Sequence, residues 1–227
     1  MKKHLPNTLT CLNLFSGCLG VLFALEESYL LTFYCVLASG IFDFFDGMVA
    51  RALHVKSNIG KELDSLADMV SFGFLPGVVL YMLLRSASAS AYLPYLGFVV
   101  TIFSALRLAK FNVDDRQTVD FIGLNTPMNT FVVMALPFIA QERGLSFPVY
   151  FLLPAIAVLS FLLVSEIRLF SMKLSSLAWR ENQFKYLFLL LSVVLIVVFK
   201  FMALPLILLA YILFSFLHFA REKSKSS

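Results

Sequence analysis

Apolar residues run along this chain in long blocks, separated by short polar stretches. Eight blocks are distinguishable, at about residues 9–25, 29–53, 59–84, 91–110, 127–141, 147–169, 184–200 and 203–220. Most approach the roughly 20 apolar residues that a helix needs to cross a bilayer. None alternates apolar with polar positions, as the strands of an outer-membrane barrel do. The pattern predicts an all-α integral membrane fold of about eight transmembrane helices. The longest polar stretches are 111–126 and 170–183, and 86–91 is a short Ser/Ala loop, so residues 1–227 read as a single domain. Within it, the last two helices, at 184–220, are expected to be peripheral.

Composition strengthens this reading. Hydrophobic residues make up 60% of the chain and charged residues only 14%, where a soluble domain carries about 25% charged residues. This excludes a disordered chain and argues against an ordinary soluble domain. The first apolar run lacks a small-residue cleavage site and is expected to be a retained helix. Cys11, Cys18 and Cys35 all lie in apolar runs without a ligand-like spacing, which predicts packed free thiols.

Charge sets the orientation. With the N-terminus in the cytoplasm and the chain alternating sides, 15 basic residues fall on the cytoplasmic face: Lys2, Lys3, Arg51, Lys56, Lys61, Arg107, Lys110, Arg116, Arg168, Lys173, Arg180, Lys185, Arg221, Lys223 and Lys225. Only Arg85, Arg143 and Lys200 fall opposite. This asymmetry predicts a cytoplasmic N-terminus. Topology and attraction to anionic headgroups account for these cations, and no nucleic-acid partner is expected. Trp179 with Arg180, Lys173 and Lys185 reads as an interfacial anchor.

The chemistry lies where acid interrupts apolar sequence. Asp43 and Asp46 are three apart near the end of the second segment, and Asp64 and Asp68 are four apart in the third. A central transmembrane Asp costs about 2.5–3.5 kcal/mol on insertion scales, so four of them require a shared polar site. Their spacings put each pair on one helix face. A short turn between the segments makes the helices antiparallel, with both pairs at one end. Four adjacent carboxylates repel unless cations intervene. Two divalent ions would balance them, and all-oxygen ligands favour Mg²⁺, Mn²⁺ or Ca²⁺ over Zn²⁺. Gly47 and Ala50 share the face of Asp43, and Gly60 precedes Asp64 by four. These small residues would leave room for a bulky ligand, or would simply pack helices closely. Arg51, eight after Asp43, suits a phosphate or a positive-inside anchor.

Together these positions read D-x-x-D-G-x-x-A-R-x8-G-x3-D-x3-D over residues 43–68. The pattern resembles the signature of the CDP-alcohol phosphotransferase family. The resemblance implies transfer of a substituted phosphoryl group from a CDP-linked donor to an alcohol, with release of CMP. It implies a two-metal centre of Mg²⁺ or Mn²⁺ held by Asp43, Asp46, Asp64 and Asp68, with Asp68 the general base on the acceptor hydroxyl. It also implies a CDP-diacylglycerol site bordered by Gly47, Ala50, Arg51 and Gly60. The active site would lie between the second and third helices, facing the cytoplasm from a bacterial-type inner membrane. Members are often homodimers, so a homodimer is expected.

Further segments resemble the bacterial phosphatidylserine synthase branch of that family, whose acceptor is L-serine. They are Pro6 to Thr10, Asn13 to Gly17, Asp64 to Gly73, Pro76-Gly77, Arg107 to Asn112 and Phe121 to Leu124. Asn125 stands where that branch usually has proline. Serine carries a carboxylate and an ammonium, and the resemblance points to Arg107, Lys110, Asn112 and Arg116 for its pocket. Asn7, Thr8 and Asn13 are expected at the donor's phosphates or sugar. Topology alone also accounts for Arg107 and Lys110, and Asn7 or Thr8 also suits a helix cap. Glycerol 3-phosphate or inositol remains an alternative acceptor. A membrane prenyltransferase and a cation transporter are more distant alternatives.

Overall fold

A computed structural model describes residues 4–55, 57–114, 120–171 and 179–226, the last without the side chains of 179–181 and 222–226. Lys2, Lys3, Lys56, Arg116 and Lys173 lie outside the described residues, as do the side chains of Trp179, Arg180, Lys223 and Lys225.

The molecule is helical almost throughout. Helix α1 spans Leu5–Leu25 and α2 spans Tyr29–Ala52. Helix α3, Asn58–Asp68, runs through a π-helical segment, Met69–Phe74, into α4, Leu75–Ala87. A 3₁₀ turn at Leu93–Phe98 leads into α5, Val99–Val113. Helices α6, Thr126–Arg143, and α7, Val149–Val164, follow. Helices α8, Trp179–Phe199, and α9, Ala203–Ser226, complete the chain. Each predicted block contains a helix, but the block at 147–169 is helical only to Val164 and ends in a short strand at Arg168–Leu169. Among the described residues, five stretches are long and apolar enough to cross a membrane: Leu5–Leu25, Tyr29–Ala52, Asn58–Ala87, Leu93–Val113 and Asn182–Arg221, the last covering most of α8 and α9. Helix α7 is a shorter apolar helix.

The core gathers around α4 and α6. Leu75, Val79, Leu80, Leu84, Val133, Met134 and Ala135 are all fully buried. Helix α9 joins them through Ala203, Ile207, Leu208 and Tyr211. On helix α8, Leu190, Val193, Val197 and Val198 point outward. Cys11 and Cys18 are free but exposed, on the outer side of α1, and Cys35 is half-buried. Only the last is packed, because the inner side of α1 is taken by Thr10, Asn13, Gly17 and Gly20.

Two short strands tie the loops together. Strand β1, Phe121–Ile122, pairs antiparallel with β2, Arg168–Leu169, through Phe121↔Leu169 and Ile122↔Arg168. Gly123 follows at φ +75°, and its N–H donates to the Ile167 carbonyl at 2.8 Å. A β-carbon at Gly123 would lie 2.7 Å from the Leu163 carbonyl oxygen, so only glycine allows this approach. Asn125 then caps α6: its side chain accepts from Met128 N–H at 2.8 Å, ahead of Pro127 in the first turn. Tyr211 Oη donates to the Phe170 carbonyl at 2.7 Å, and Phe170 N–H donates to Ser215 Oγ at 3.3 Å, fastening β2 to α9.

Candidate active site

The site is built where α2 ends and α3 begins. Helix α2 closes without glycine: His54 takes the left-handed conformation (φ 52°), its N–H donating to the Arg51 carbonyl and Val55 N–H donating to that of Ala50. This is a Schellman closure. Three residues later Ser57 caps α3, accepting from Gly60 N–H at 3.3 Å. The chain therefore reverses over a few residues and sets α3 beside the end of α2.

That reversal brings the carboxylates together. One oxygen from each of Asp43, Asp64 and Asp68 lies within 4.8 Å of the others. Asp46 stands one turn along α2, buried, and accepts from Thr10 Oγ1 at 2.6 Å through Oδ2. Asp68 Oδ1 accepts from Asn13 Nδ2 at 3.2 Å. Asp64 Oδ1 is buried without a hydrogen-bond partner. Clustered carboxylates with an orphaned buried oxygen suit a hard cation, which would satisfy that oxygen and offset the repulsion. All donors are oxygen, so Mg²⁺ or Mn²⁺ fits and a thiophilic metal does not.

Beside the cluster lies an open cavity of about 400 Å³, within the size range of small-molecule sites. Asp46 and Asp64 form its acidic wall, and Gly47, Ala50 and Gly60 its small-residue wall. Pro6, Asn7, Thr10, Val55, Ser57, Asn58 and Lys61 complete it. Absent side chains create the space. A β-carbon at Gly47 would meet Arg51 Nη1 at 3.3 Å, and one at Gly60 would meet Asn7 Oδ1 at 3.1 Å. Arg51 thus folds back against Gly47 at the rim, and its charge interacts with Asp46.

The other sequence-predicted residues divide. Asn7 lines the cavity. Thr8 is exposed and donates to the His4 carbonyl at 3.0 Å, away from the cavity. Arg107 is buried, 7% exposed, with its guanidinium 5.2 Å from the Phe111 ring centroid, and its charge interacts with Asp68. Lys110 instead pairs with Glu166 at 2.6 Å at the surface. Asn112 braces α3: its Nδ2 donates to Ser65 Oγ at 2.8 Å, and its carbonyl accepts from Lys61 Nζ at 2.7 Å. Arg116 lies outside the described residues.

Sequence reasoning missed Thr10, Ser57, Asn58 and Lys61. A signal existed for Thr10, a polar residue in an apolar run at i−3 from Asn13. The π segment directly after Asp68 was also unforeseen. Irregular helix needs outside partners for its carbonyls. Thr130 Oγ1 donates to the Phe72 carbonyl at 2.9 Å, and Thr101 Oγ1 to that of Gly73 at 3.0 Å.

Comparison with known proteins identifies the family. A family model described as CDP-alcohol phosphatidyltransferase matches residues 3–217. A CDP-diacylglycerol–serine O-phosphatidyltransferase of Mycobacterium leprae is 34% identical over 172 residues, covering 72% of this chain and 57% of the relative. The Bacillus subtilis protein of the same name is 34% identical over 141 residues, 60% of this chain and 76% of the relative. That of Helicobacter pylori (strain 26695) is 29% identical over 205 residues, 84% and 81% respectively. The match thus spans little more than half the length of the mycobacterial relative.

Proposed function

This chain belongs to the CDP-alcohol phosphatidyltransferase family, and from that premise we propose that it transfers the phosphatidyl group of CDP-diacylglycerol to L-serine, releasing CMP. The observation that carries the proposal is the convergence of Asp43, Asp64 and Asp68 within 4.8 Å beside an open cavity walled by glycine and alanine. The names of the relatives supply the donor and acceptor.

Asp43, Asp46, Asp64 and Asp68 would hold two divalent cations, Mg²⁺ or Mn²⁺. When bound, such ions neutralise the donor phosphates and stabilise charge on a leaving phosphate oxygen. The chain's own residues do the rest. Gly47, Ala50 and Gly60 leave a slot for the cytidine diphosphate, flanked by Asn7 and Lys61. Arg51 at the rim presents a guanidinium suited to phosphate oxygens. Asp68 takes the proton of the serine hydroxyl as that oxygen bonds to the phosphatidyl phosphorus. The bond from that phosphorus to the bridging oxygen breaks, and the electron pair leaves with CMP. Arg107, beside Asp68, is the cation that would receive the serine carboxylate, with Asn112 near the same end of α5. Lys110, engaged with Glu166, has a weaker claim to that pocket.

The rest of the reading follows from the helices. All eight apolar blocks cross or enter the bilayer, the N-terminus and the site face the cytoplasm, and the membrane is a bacterial-type inner membrane. Such a site lets the diacylglycerol tail stay in lipid while CMP leaves in water. The outward Val197, Val198, Leu213 and Phe216 supply apolar surface for lipid and for a second copy in a homodimer.

Purified protein with Mn²⁺ and CDP-diacylglycerol should release CMP only when serine is supplied. Release with glycerol 3-phosphate or inositol, and none with serine, would replace the acceptor. Pyrophosphate release would replace the reaction class.

A further inference from the structure

The four aspartates come from α2 and α3, yet two of them are held by α1. Thr10 Oγ1 donates to Asp46 Oδ2 at 2.6 Å, and Asn13 Nδ2 donates to Asp68 Oδ1 at 3.2 Å. Thr10 and Asn13 are one helical step apart, on the same face of α1. Both are buried, at 3% and 0% exposure.

Neither residue is placed by its own side-chain needs. Thr10 Oγ1 also lies 3.1 Å from the Pro6 carbonyl, the ordinary partner of a helical threonine, but its contact with Asp46 is shorter. Asn13 commits its N–H to Asp68 and leaves Oδ1 buried with no partner. An unpaired buried carbonyl is costly, so a residue chosen only for packing would be apolar here. The backbone beneath Asn13 is pinned as well. Its carbonyl accepts from Ser39 Oγ of α2 and Ser71 Oγ of the π segment, both at 3.1 Å. Gly17, one turn further on, lets Ser71 press directly against α1.

We infer that Thr10 and Asn13 are positioning residues for the carboxylate centre: Thr10 fixes Asp46 and Asn13 fixes Asp68, each engaging one carboxylate oxygen and turning the other toward cation or acceptor. The inference rests on the reading that the aspartates bind divalent cations. Groups of this kind, bonded to ligands rather than to the ion, commonly set metal affinity or activity by 10–100-fold.

The test uses the full chain in detergent with Mn²⁺ alone, free Mn²⁺ being read by electron paramagnetic resonance, and then with substrates. Thr10→Val keeps the branched shape and removes the donor, whereas Thr10→Ser keeps the donor. Thr10→Val should weaken Mn²⁺ binding roughly tenfold, and Thr10→Ser should restore it. Asn13→Leu should lower kcat by a similar factor with the KM for CDP-diacylglycerol little changed. Should Thr10→Val not fold, Asn13→Leu and Asn13→Ser carry the test on the same readouts. Folded variants with wild-type Mn²⁺ affinity and kcat would overturn the inference, as would a melting shift with no change in either. Wild-type protein that binds no Mn²⁺ would instead sink the underlying metal reading.

Discussion

A β-carbon at position 60 would lie 3.1 Å from Asn7 Oδ1, so Gly60 is what allows the first turn of α1 to meet the first turn of α3. Both residues line the cavity. Alanine at position 60 would force the Asn7 carboxamide aside. As a helix residue, alanine is better than glycine by about 1 kcal/mol, so stability and binding should part company. Gly60→Ala is expected to melt no lower than wild type while its KM for CDP-diacylglycerol rises several-fold. Steady-state kinetics beside a melting curve check both halves.

The cations expected around serine are in unlike settings, and this separates their predicted effects. Arg107 is buried against Phe111 within the electrostatic reach of Asp68. A hydrogen bond to a charged group is worth about 1.5–3 kcal/mol, so Arg107→Gln should raise the KM for serine at least roughly tenfold. Arg107→Lys should recover only part of that, because the planar fork is lost. Lys110 is 38% exposed in its pair with Glu166, and such pairs contribute about 0–1 kcal/mol. Lys110→Met should leave serine kinetics unchanged. Equal effects of the two substitutions would place Lys110 in the pocket after all.

These contrasts also show what could be read from the sequence. Asp43, Asp46, Asp64 and Asp68 stood out because helix spacing and intramembrane acid are local signals. So were the eight apolar blocks. The short turn between the second and third segments was legible, but its left-handed closure at His54 was not, since such a closure usually announces itself with glycine and here has none. The π segment after Asp68 depends on Thr101 and Thr130, hydroxyls supplied by distant helices. Asn13 was expected at the donor and Thr10 had no assigned role, because their carboxylate partners lie 55 and 36 positions away. Periodicity reports which face a residue occupies, and only packing reports what it meets there.

The loop before α6 yields a prediction about stability rather than chemistry. Asn125, replacing the proline usual in the serine branch, caps α6 through Met128 N–H at 2.8 Å. Loss of such a cap costs typically about 1 kcal/mol, which in a chain of this size lowers Tm by about 2–4 °C. Asn125→Ala should show that loss with unchanged Mn²⁺ dependence. Gly123→Ala should cost more, because the new side chain would combine a φ of +75° with a carbonyl oxygen at 2.7 Å. Thermal melts of the two variants side by side test the ranking, and a reversed order would contradict the described turn.

Removing a carboxylate from the cluster should move stability in opposite directions with and without metal. Without a cation, one carboxylate oxygen from each of Asp43, Asp64 and Asp68 lies within 4.8 Å of the others, and ionised carboxylates that close repel. Asp64→Asn relieves that repulsion, so in chelator the variant should melt at or above wild type. With saturating Mn²⁺ the order should invert. An ion that binds only the folded protein stabilises it by about 2.7 kcal/mol at a hundredfold excess over Kd, and the variant loses most of that gain. Turnover should fall by at least roughly a hundredfold, since metal-derived charge stabilisation supplies several kcal/mol of the barrier reduction. Asp43→Asn and Asp68→Asn should follow the same pattern. Melting curves in chelator and in Mn²⁺, with CMP release measured on the same preparations, decide it. A variant that keeps the full Mn²⁺-induced rise in Tm would remove that aspartate from the metal centre.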